Sequence, residues 1–196
     1  MLSNKLMKRL SLYLFLILFS LQTPSQADDI RDFEIEGMSI GDSALDYYSE
    51  SKIKTNKKNW YKNKKISITE IEINSEIYDA IQIHFWSNDK SYKIIGIDAL
   101  IDFPNNIKNC YSKQKLISED IKSIIKNAKK NSYKKKHAAD KSGKSTNTSI
   151  DYEFKSGDFV NIACYDWSKK MGYIDNLRVS LVTKELDDWL YNEAYK

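Results

Sequence analysis

Apolar and polar residues alternate along three successive runs in the first half of the chain, at residues 66–73, 77–86 and 92–103. β-Branched and aromatic residues at every second position are typical of strands that bury one face. The segments between the runs are rich in Asn, Ser and Asp, which favour turns. The pattern therefore predicts an antiparallel meander of three strands. A phase shift between Ile68 and Ile71 further predicts a β-bulge in the first strand.

A helical pattern follows directly after Pro104. Apolar residues recur there at three- and four-residue spacing over about 24 residues. The apolar stripe consists of Ile107, Cys110, Tyr111, Ile117, Ile121, Ile124, Ile125 and Ala128. Because this helix starts where the meander ends, we expect it to cover the buried face of the meander.

The second half of the chain repeats the strand pattern. Alternating runs occupy residues 148–154, 159–167 and 173–182. Residues 129–149 are poor in apolar side chains, which predicts either a loop or a strand at residues 133–139 followed by a loop.

Two further helices are predicted from their first residues. Ser43 can cap a short N-terminal helix at residues 44–49, followed by a polar connection at residues 51–65. Thr183 can cap a C-terminal helix in which Leu186, Trp189 and Leu190 form an apolar patch.

Together these elements predict an α+β fold class: an antiparallel sheet made of two three-strand meanders, packed by one long helix, with a short N-terminal and a C-terminal helix. Residues 28–196 would form a single α+β domain, with two helix-plus-three-strand halves, 28–103 and 104–196, as a finer division. Trp86 lies six residues before Tyr92, and Trp167 lies six before Tyr173. This echo suggests the hypothesis of an internal duplication.

The first 27 residues have the pattern of a cleaved secretory signal peptide. Three basic residues precede an apolar run at residues 10–21, which is too short to span a bilayer comfortably. Small residues at Ser25 and Ala27 predict cleavage after Ala27. The sequence therefore predicts a periplasmic or extracellular location.

Charge argues against a nucleic-acid partner once the predicted signal peptide is removed. The whole chain has 31 basic and 27 acidic residues, a formal net charge of +4. Residues 1–27 contain three of the basic residues and none of the acidic ones, which leaves 28 against 27. Since nucleic-acid binding is driven by excess positive charge, we expect none. The heavy use of Lys, Asn and Ile is compatible with an AT-rich bacterial genome.

Cys110 and Cys164 are the only cysteines of the chain. Two cysteines in an oxidising compartment usually pair, so we predict a disulfide that ties the long helix to the second group of strands. His84 and His137 are far from both cysteines in the sequence, so no metal site is predicted.

Candidate catalytic chemistry is limited to one histidine and its neighbouring carboxylates. His84 lies in the second predicted strand, and Asp98 and Asp102 share one face of the third. His84 with Asp98 would suit a hydrolase, but no motif places a Ser or Cys nucleophile. A Gly-Lys-Ser sequence starts at Gly143 but has Ala138 where a phosphate loop needs Gly. We therefore predict no catalytic residue, no cofactor-binding residue and no cofactor.

Two surfaces are candidates for binding. Aromatic residues that could line a peptide- or glycan-binding surface are Tyr47, Tyr48, Trp60, Tyr61, Trp86 and Trp167. The basic face of the long helix, a candidate for weak contact with anionic lipid, consists of Lys108, Lys113, Lys115, Lys122 and Lys126.

Residues 35–45, with Gly-Met-Ser followed by a predicted short helix, resemble the opening of the small outer-membrane assembly proteins called BamE- or SmpA-like. The lipoprotein Cys typical of that family is missing here. The resemblance covers only this segment and implies no site residue.

Export, a nearly neutral mature charge and the lack of a catalytic motif predict a small non-catalytic protein. It would be a periplasmic binding protein or an envelope-associated one, whose partner would be an envelope protein, a peptide or a glycan. The alternative is a secreted or periplasmic hydrolase with a histidine–carboxylate site that no motif reveals.

Overall fold

The computed structural model describes residues 27–104, 106–125 and 127–196. Its frame is one antiparallel sheet of eight strands in the order β1-β2-β3-β4-β8-β7-β6-β5. The strands are β1 (Lys57–Lys58), β2 (Ile66–Glu72), β3 (Ala80–Trp86), β4 (Gly96–Asp102), β5 (Lys129–Lys136), β6 (Thr146–Glu153), β7 (Phe159–Asp166) and β8 (Asn176–Val182). The α-helices are α1 (Glu50–Thr55), α2 (Ile107–Ile124) and α3 (Lys184–Asn192), and short 3₁₀ turns lie at Ile30–Asp32, Ala44–Asp46 and Lys169–Met171.

The α+β class with an antiparallel sheet is confirmed, but the detail of two three-strand meanders is not. Each half contributes four strands, because β1 and β5 form the two edges of the sheet. Nearly every residue of β5 is exposed, so this strand has no apolar face to alternate with a polar one. A lysine-rich edge also discourages pairing with other chains.

The two halves have the same strand order and meet in the middle of the sheet. Strands β4 and β8 pair along seven residues, from Gly96 opposite Val182 to Asp102 opposite Asn176. A helix precedes each four-strand meander, α1 before β1 and α2 before β5. This order is what a duplication requires, and the duplication stays a hypothesis.

The echo between Trp86 and Trp167 does not follow the strand register. When the halves are aligned on the central pair of Asp98 and Ser180, the residue that corresponds to Trp86 is Tyr165. Trp167 lies two residues further along.

The main hydrophobic core lies on one face of the sheet and is covered by helix α2 and by the N-terminal segment. Helix α2 contacts β7 and β8, and the N-terminal segment supplies Ile30, Met38 and Ile53 of α1 to the same core. The expectation that the long helix covers the first meander is therefore wrong, because α2 packs on strands of its own half. Ile121 of α2 is buried, whereas Ile124 at its end is exposed.

The short helix predicted at residues 44–49 is also placed differently. Only Ala44–Asp46 form a 3₁₀ turn, and α1 follows within the segment predicted as a connection. Ser49 caps α1, since its side chain accepts a hydrogen bond from the Lys52 amide.

The two cysteines are bonded in the structure. Cys110 lies in the first turn of α2 and Cys164 in β7, with a Cα–Cα distance of 6.0 Å. Further along α2, the Gln114 side chain donates hydrogen bonds to the carbonyl oxygens of Thr148 and Ile162. The helix is thus fixed to the sheet by a covalent bond and by buried hydrogen bonds.

Strand β2 has no bulge, which corrects the prediction from its phase shift. It pairs with β3 at every position from Ile66 to Glu72. Ile71 lies opposite Ile81 of the main core, whereas Ile66 packs with Leu186 of α3 on the other face. Apolar residues on both faces of a regular strand produce the same phase shift as a bulge.

Helix α3 packs on the face of the sheet opposite to α2. Its Leu186 and Trp189 contact Ile66, Ile95 and Val182. Thr183 caps the helix by accepting a hydrogen bond from the Leu186 amide. Gly96 lies directly under this contact, because a Cβ atom there would collide with the Leu186 side chain.

The predicted signal peptide falls almost entirely on residues 1–26, which lie outside the described residues. Ala27 forms a single parallel bridge with Ile125, and cleavage after Ala27 stays a prediction. Within the described part of the chain, no helix has both the length and the apolarity needed to cross a bilayer.

Candidate binding cleft

A row of polar side chains crosses the sheet on the face opposite to the main core. Neighbouring members of the row are directly paired residues of adjacent strands. From β2 to β5 the row consists of Glu70, Gln82, Asp98, Ser180, Asn161, Asp151 and Asn131. In each half an amide donates to a carboxylate, Gln82 to Glu70 and Asn161 to Asp151.

Arg178 of β8 lies beside this row in the middle of the sheet. Its Nη1 donates to Gln82 Oε1 at 3.0 Å and its Nε donates to Asn176 Oδ1 at 3.2 Å. Its guanidinium carbon lies 4.4 Å from the centre of the Tyr165 ring, a cation–π arrangement. The paired residue on β7 is Ala163, whose small side chain leaves room for the guanidinium.

The charge of Arg178 is only partly compensated. Asp98 Oδ2 lies 3.8 Å from Nη1, and the third nitrogen, Nη2, makes no hydrogen bond within the described residues. Burial alone would lower the pKa of Arg178, but the electrostatic effects of Tyr165 and Asp98 raise it above its ordinary value. The guanidinium therefore stays charged with one amino group available.

His84 and Asp98, the two residues of the predicted histidine–carboxylate site, are in contact. His84 Nε2 lies 3.1 Å from Asp98 Oδ2. Burial alone would raise the pKa of Asp98, but the hydrogen bond and charge of His84 and the charge of Arg178 lower it on balance. The other ring nitrogen of His84, Nδ1, is buried without a partner.

Two pockets open on this face and meet at Arg178, and we call them together the cleft. The first, of about 780 Å³, is the acidic bay, because its lining includes the carboxylates of Glu70, Glu72, Asp79 and Asp102. The second, of about 510 Å³, is the basic bay, because its lining includes Lys135, Lys136, Lys141 and Lys196. Both bays are bordered by Tyr61, His137, Arg178 and Tyr195.

Aromatic rings form the wall between the bays. The Tyr61 ring packs edge-on against Trp189 and Tyr195, at centroid distances of 4.9 and 5.4 Å. His137 packs on Trp167 at 4.5 Å, and Trp167 stacks with Tyr165 at 5.8 Å. The cleft is therefore lined by rings and by polar groups in turn, which is typical of small-ligand sites.

His137 is held against this wall by the loop that follows β5. Asp140 Oδ2 accepts hydrogen bonds from the Ser145 and Ser168 hydroxyls, which connects the loop to the end of β7. Hydrogen bonds from Ser145, Ser142 and Ser168 keep the pKa of Asp140 far below its ordinary value. The Gly-Lys-Ser sequence lies in this loop, where it forms a turn closed by Asp140.

The other candidate residues fall into different places. Asp102 lies on the rim of the acidic bay and is exposed, so it forms no pair with Asp98. Trp60, Tyr61 and Trp167 line the cleft, whereas Trp86 packs with the apolar cluster of α3. Tyr48 contacts the main core, and the Tyr47 hydroxyl donates to the Gly37 carbonyl away from the cleft.

The lysine face of α2 lies far from these groups in the fold. Lys108, Lys115 and Lys122 are exposed and Lys113 is half-buried, whereas Lys126 lies outside the described residues. Whether this face meets anionic lipid stays a prediction.

Arg178, Tyr165 and Asn147 are functional candidates that sequence reasoning missed. One signal was present for Arg178, because only three arginines occur in this lysine-rich chain and Arg178 stands between Leu177 and Val179 in an alternating run. A long cation on the polar face of a central strand is unusual enough to mark a site.

No protein-family model, curated protein or solved structure matches the chain. Within the described residues, no three His, Cys, Asp or Glu side chains are grouped so that they could hold a metal ion. The geometry of the cleft is therefore the basis for a functional proposal.

Proposed function

We propose that the protein is an exported, non-catalytic binding protein of the bacterial periplasm or extracellular space. Its ligand would occupy the cleft and contact Arg178. The predicted signal peptide and the Cys110–Cys164 disulfide support export, because disulfides persist in oxidising compartments.

The observation that carries the proposal is the position of Arg178 between the two bays. A largely buried guanidinium costs free energy unless all its donors find partners. Arg178 contacts two neutral amide oxygens and one ring, and Asp98 lies beyond hydrogen-bond distance. A ligand oxygen at Nη2 would complete this set, and Arg is well suited to such directed contacts.

Binding rather than catalysis fits the surroundings of His84. Its Nε2 is already engaged by Asp98, and its side chain is 4% exposed. Leu186 of α3 packs against Gly96, the residue that pairs with His84 on β4. The imidazole is thus held as part of the cleft floor.

The test compares the intact mature chain with Arg178→Gln on arrays of bacterial-envelope glycans and of peptides. We expect wild type to bind members of one array and Arg178→Gln to bind them at least about tenfold more weakly, as for a lost charged hydrogen bond. Arg31→Gln is the matched control, because Arg31 is exposed and pairs only with Asp29 nearby. Thermal unfolding of each variant verifies that it is folded. Equal binding by wild type and a folded Arg178→Gln would contradict the proposal.

One observation favours a second candidate function, the hydrolase. His84 and Asp98 form the contact that a general base with a supporting carboxylate requires. Chromogenic ester, phosphate and glycoside substrates test it directly. Turnover by wild type that is abolished in a folded His84→Gln variant would establish the hydrolase and overturn the non-catalytic proposal.

A further inference from the structure

We propose that the basic bay of the cleft binds an anionic saccharide. This inference rests on the proposed function and names its ligand class. Three independent features of the bay support it: its charge, its unpartnered buried polar atoms and the exposed ring of Tyr191.

The charge of the lining favours an anion. Lys135, Lys141, Lys196 and Arg178 line the bay, against the carboxylates of Asp98 and Asp187. Asp98 is already engaged by His84, and burial raises the pKa of Asp187. Positive charge therefore exceeds negative charge in a partly enclosed space, where it is screened less than on an open surface.

The bay also contains buried polar atoms without hydrogen-bond partners, which indicate a ligand that carries hydrogen-bonding groups besides its negative charge. Among the described residues, Asn147 Oδ1 and His84 Nδ1 are buried without a hydrogen-bond partner, and both residues line the bay. The two residues are 6% and 3% exposed, so each unpaired atom carries a desolvation cost. Asn147 Oδ1 only accepts, so the ligand must supply a donor such as a hydroxyl. An anion that also carries hydroxyl groups satisfies both conditions.

One ring of the bay provides a free flat surface for such a ligand, because Tyr191 of α3 lines the bay and is 84% exposed. The Tyr165 ring is already in contact with Arg178 and Trp167, and the Tyr61 ring is packed against Trp189. A sugar ring presents C–H groups on one face and hydroxyls around its edge, so it can stack on a ring while its edge is hydrogen-bonded. This combination is what the bay offers.

A peptide ligand fits this site less well. Strands β6, β7 and β8 under the bay are each paired on both sides, so their backbone groups are already satisfied. A peptide that binds by adding a strand needs a free sheet edge. Recognition in the bay must therefore come from side chains.

The experiment measures binding of three probes to the intact mature chain by calorimetry. They are tetragalacturonate, the same tetrasaccharide with its carboxylates reduced to alcohols, and glucose 6-phosphate. We expect tetragalacturonate or glucose 6-phosphate to bind, the carboxyl-reduced form to bind at least about tenfold more weakly, and the affinity to fall with added salt. Tetragalacturonate and glucose 6-phosphate distinguish a carboxylate from a phosphate as the anionic group.

Two lysines of β5 provide matched variants. Lys135 lies opposite Asn147 and lines the bay, whereas Lys134 lies opposite Thr148, so its side chain projects to the other face. We expect Lys135→Gln to weaken binding of the anionic probe about threefold and Lys134→Gln to leave it unchanged. Asn147→Ala should weaken binding too, because a hydroxyl group of the saccharide loses Asn147 Oδ1 as its hydrogen-bond acceptor.

Three results would overturn the inference: measurable and equal binding of the reduced and acidic tetrasaccharides, equal effects of Lys134→Gln and Lys135→Gln, or no binding of either anionic probe. If the protein still binds neutral glycans or peptides on the arrays, and Arg178→Gln weakens that binding, the proposed function stands and only the ligand class fails. If Arg178→Gln also binds like wild type there, the proposed function fails as well.

Discussion

His137 is a histidine that folding shields from water, and this makes stability depend on pH. Burial, and then the charges of Arg178 and Lys135, lower the pKa of His137 from its ordinary value of 6.5 to about 4. Below pH 6.5 the unfolded chain therefore binds a proton that the folded chain does not bind until about pH 4. The free energy of unfolding should fall as the pH falls through this window, by about 2 kcal/mol at pH 5.

Urea unfolding at pH 7.5 and pH 5.0 measures this loss. His137→Gln removes the titrating group and keeps a polar side chain, so its loss between the two pH values should be smaller than that of wild type by about this amount. The assignment to His137 would be wrong if wild type and variant lost the same free energy.

Asp98 should be far more important for stability than Asp102, although both lie on the same face of β4. Asp98 is buried between His84 and Arg178, and its removal leaves the charge of Arg178 without a nearby carboxylate and His84 Nε2 without its partner. We expect Asp98→Asn to lower the free energy of unfolding by about 3 kcal/mol, the cost of breaking a buried charged pair. Asp102→Asn, at an exposed position, should change it by less than about 0.5 kcal/mol. Equal losses in the two variants, measured by urea unfolding, would show that Asp98 is not held as described.

Asp98 and Asp102 show how much the sequence predicts about individual residues. The alternation of β4 was enough to place Asp98 and Asp102 on one face and to suggest His84 as a neighbour. The difference between them depends on Arg178, which is 80 positions away from Asp98 and reaches it only through the pairing of β4 with β8. Local periodicity contains no information on that pairing.

At the scale of elements, the Cys110–Cys164 disulfide is the strongest single connection between α2 and the sheet. The bond closes a loop of 54 residues, for which the chain-entropy model gives about 4 kcal/mol of stabilisation. We expect the Cys110→Ala/Cys164→Ala variant to lose about this free energy of unfolding. Dithiothreitol should lower the midpoint of wild type and leave the variant unchanged. Two reactive thiols in the denatured, unreduced protein would rule the bond out.

The elements that the sequence predicted well are those with one buried face. The apolar stripe of α2 and the alternation of β3, β4, β6, β7 and β8 gave these elements to within a few residues of their observed bounds. For β5 the sequence predicts either a loop or a strand, because the residues of an exposed edge strand show no apolar alternation. For β2 the sequence predicts a bulge that is absent, because α3, distant in sequence, covers the second face of this strand through Leu186.

In the whole molecule, the order of the strands determines where the cleft lies, and this order could not be predicted from the sequence. Periodicity predicts strands but not their neighbours, so the central pairing of β4 with β8 had no local signal. That pairing brings the polar positions of both halves into one row and creates the cleft at their junction. The binding site proposed here is therefore a property of the complete sheet rather than of either half.

The same junction predicts that the two halves unfold together. The main core contains Ile83 and Ile97 from the first half and Ile162 and Leu181 from the second, and the sheet is continuous between them. Neither meander can keep its core once the other is lost, so we expect a single two-state transition.

Single tryptophans allow each half to be followed separately. Trp60 lies in the first half, and Trp167 packs on His137 and Tyr173 in the second, whereas Trp86 and Trp189 lie where α3 meets the first half. With Trp86, Trp189 and either Trp60 or Trp167 replaced by Phe, tryptophan fluorescence and far-ultraviolet circular dichroism should give the same urea midpoint within that variant, because loss of one half removes the pairing partner and core neighbours of the other. A fluorescence midpoint that precedes the dichroism midpoint in one variant and follows it in the other would mean that β4 and β8 separate before the sheet unfolds. The cleft at Arg178 would then open while half of the molecule is still folded.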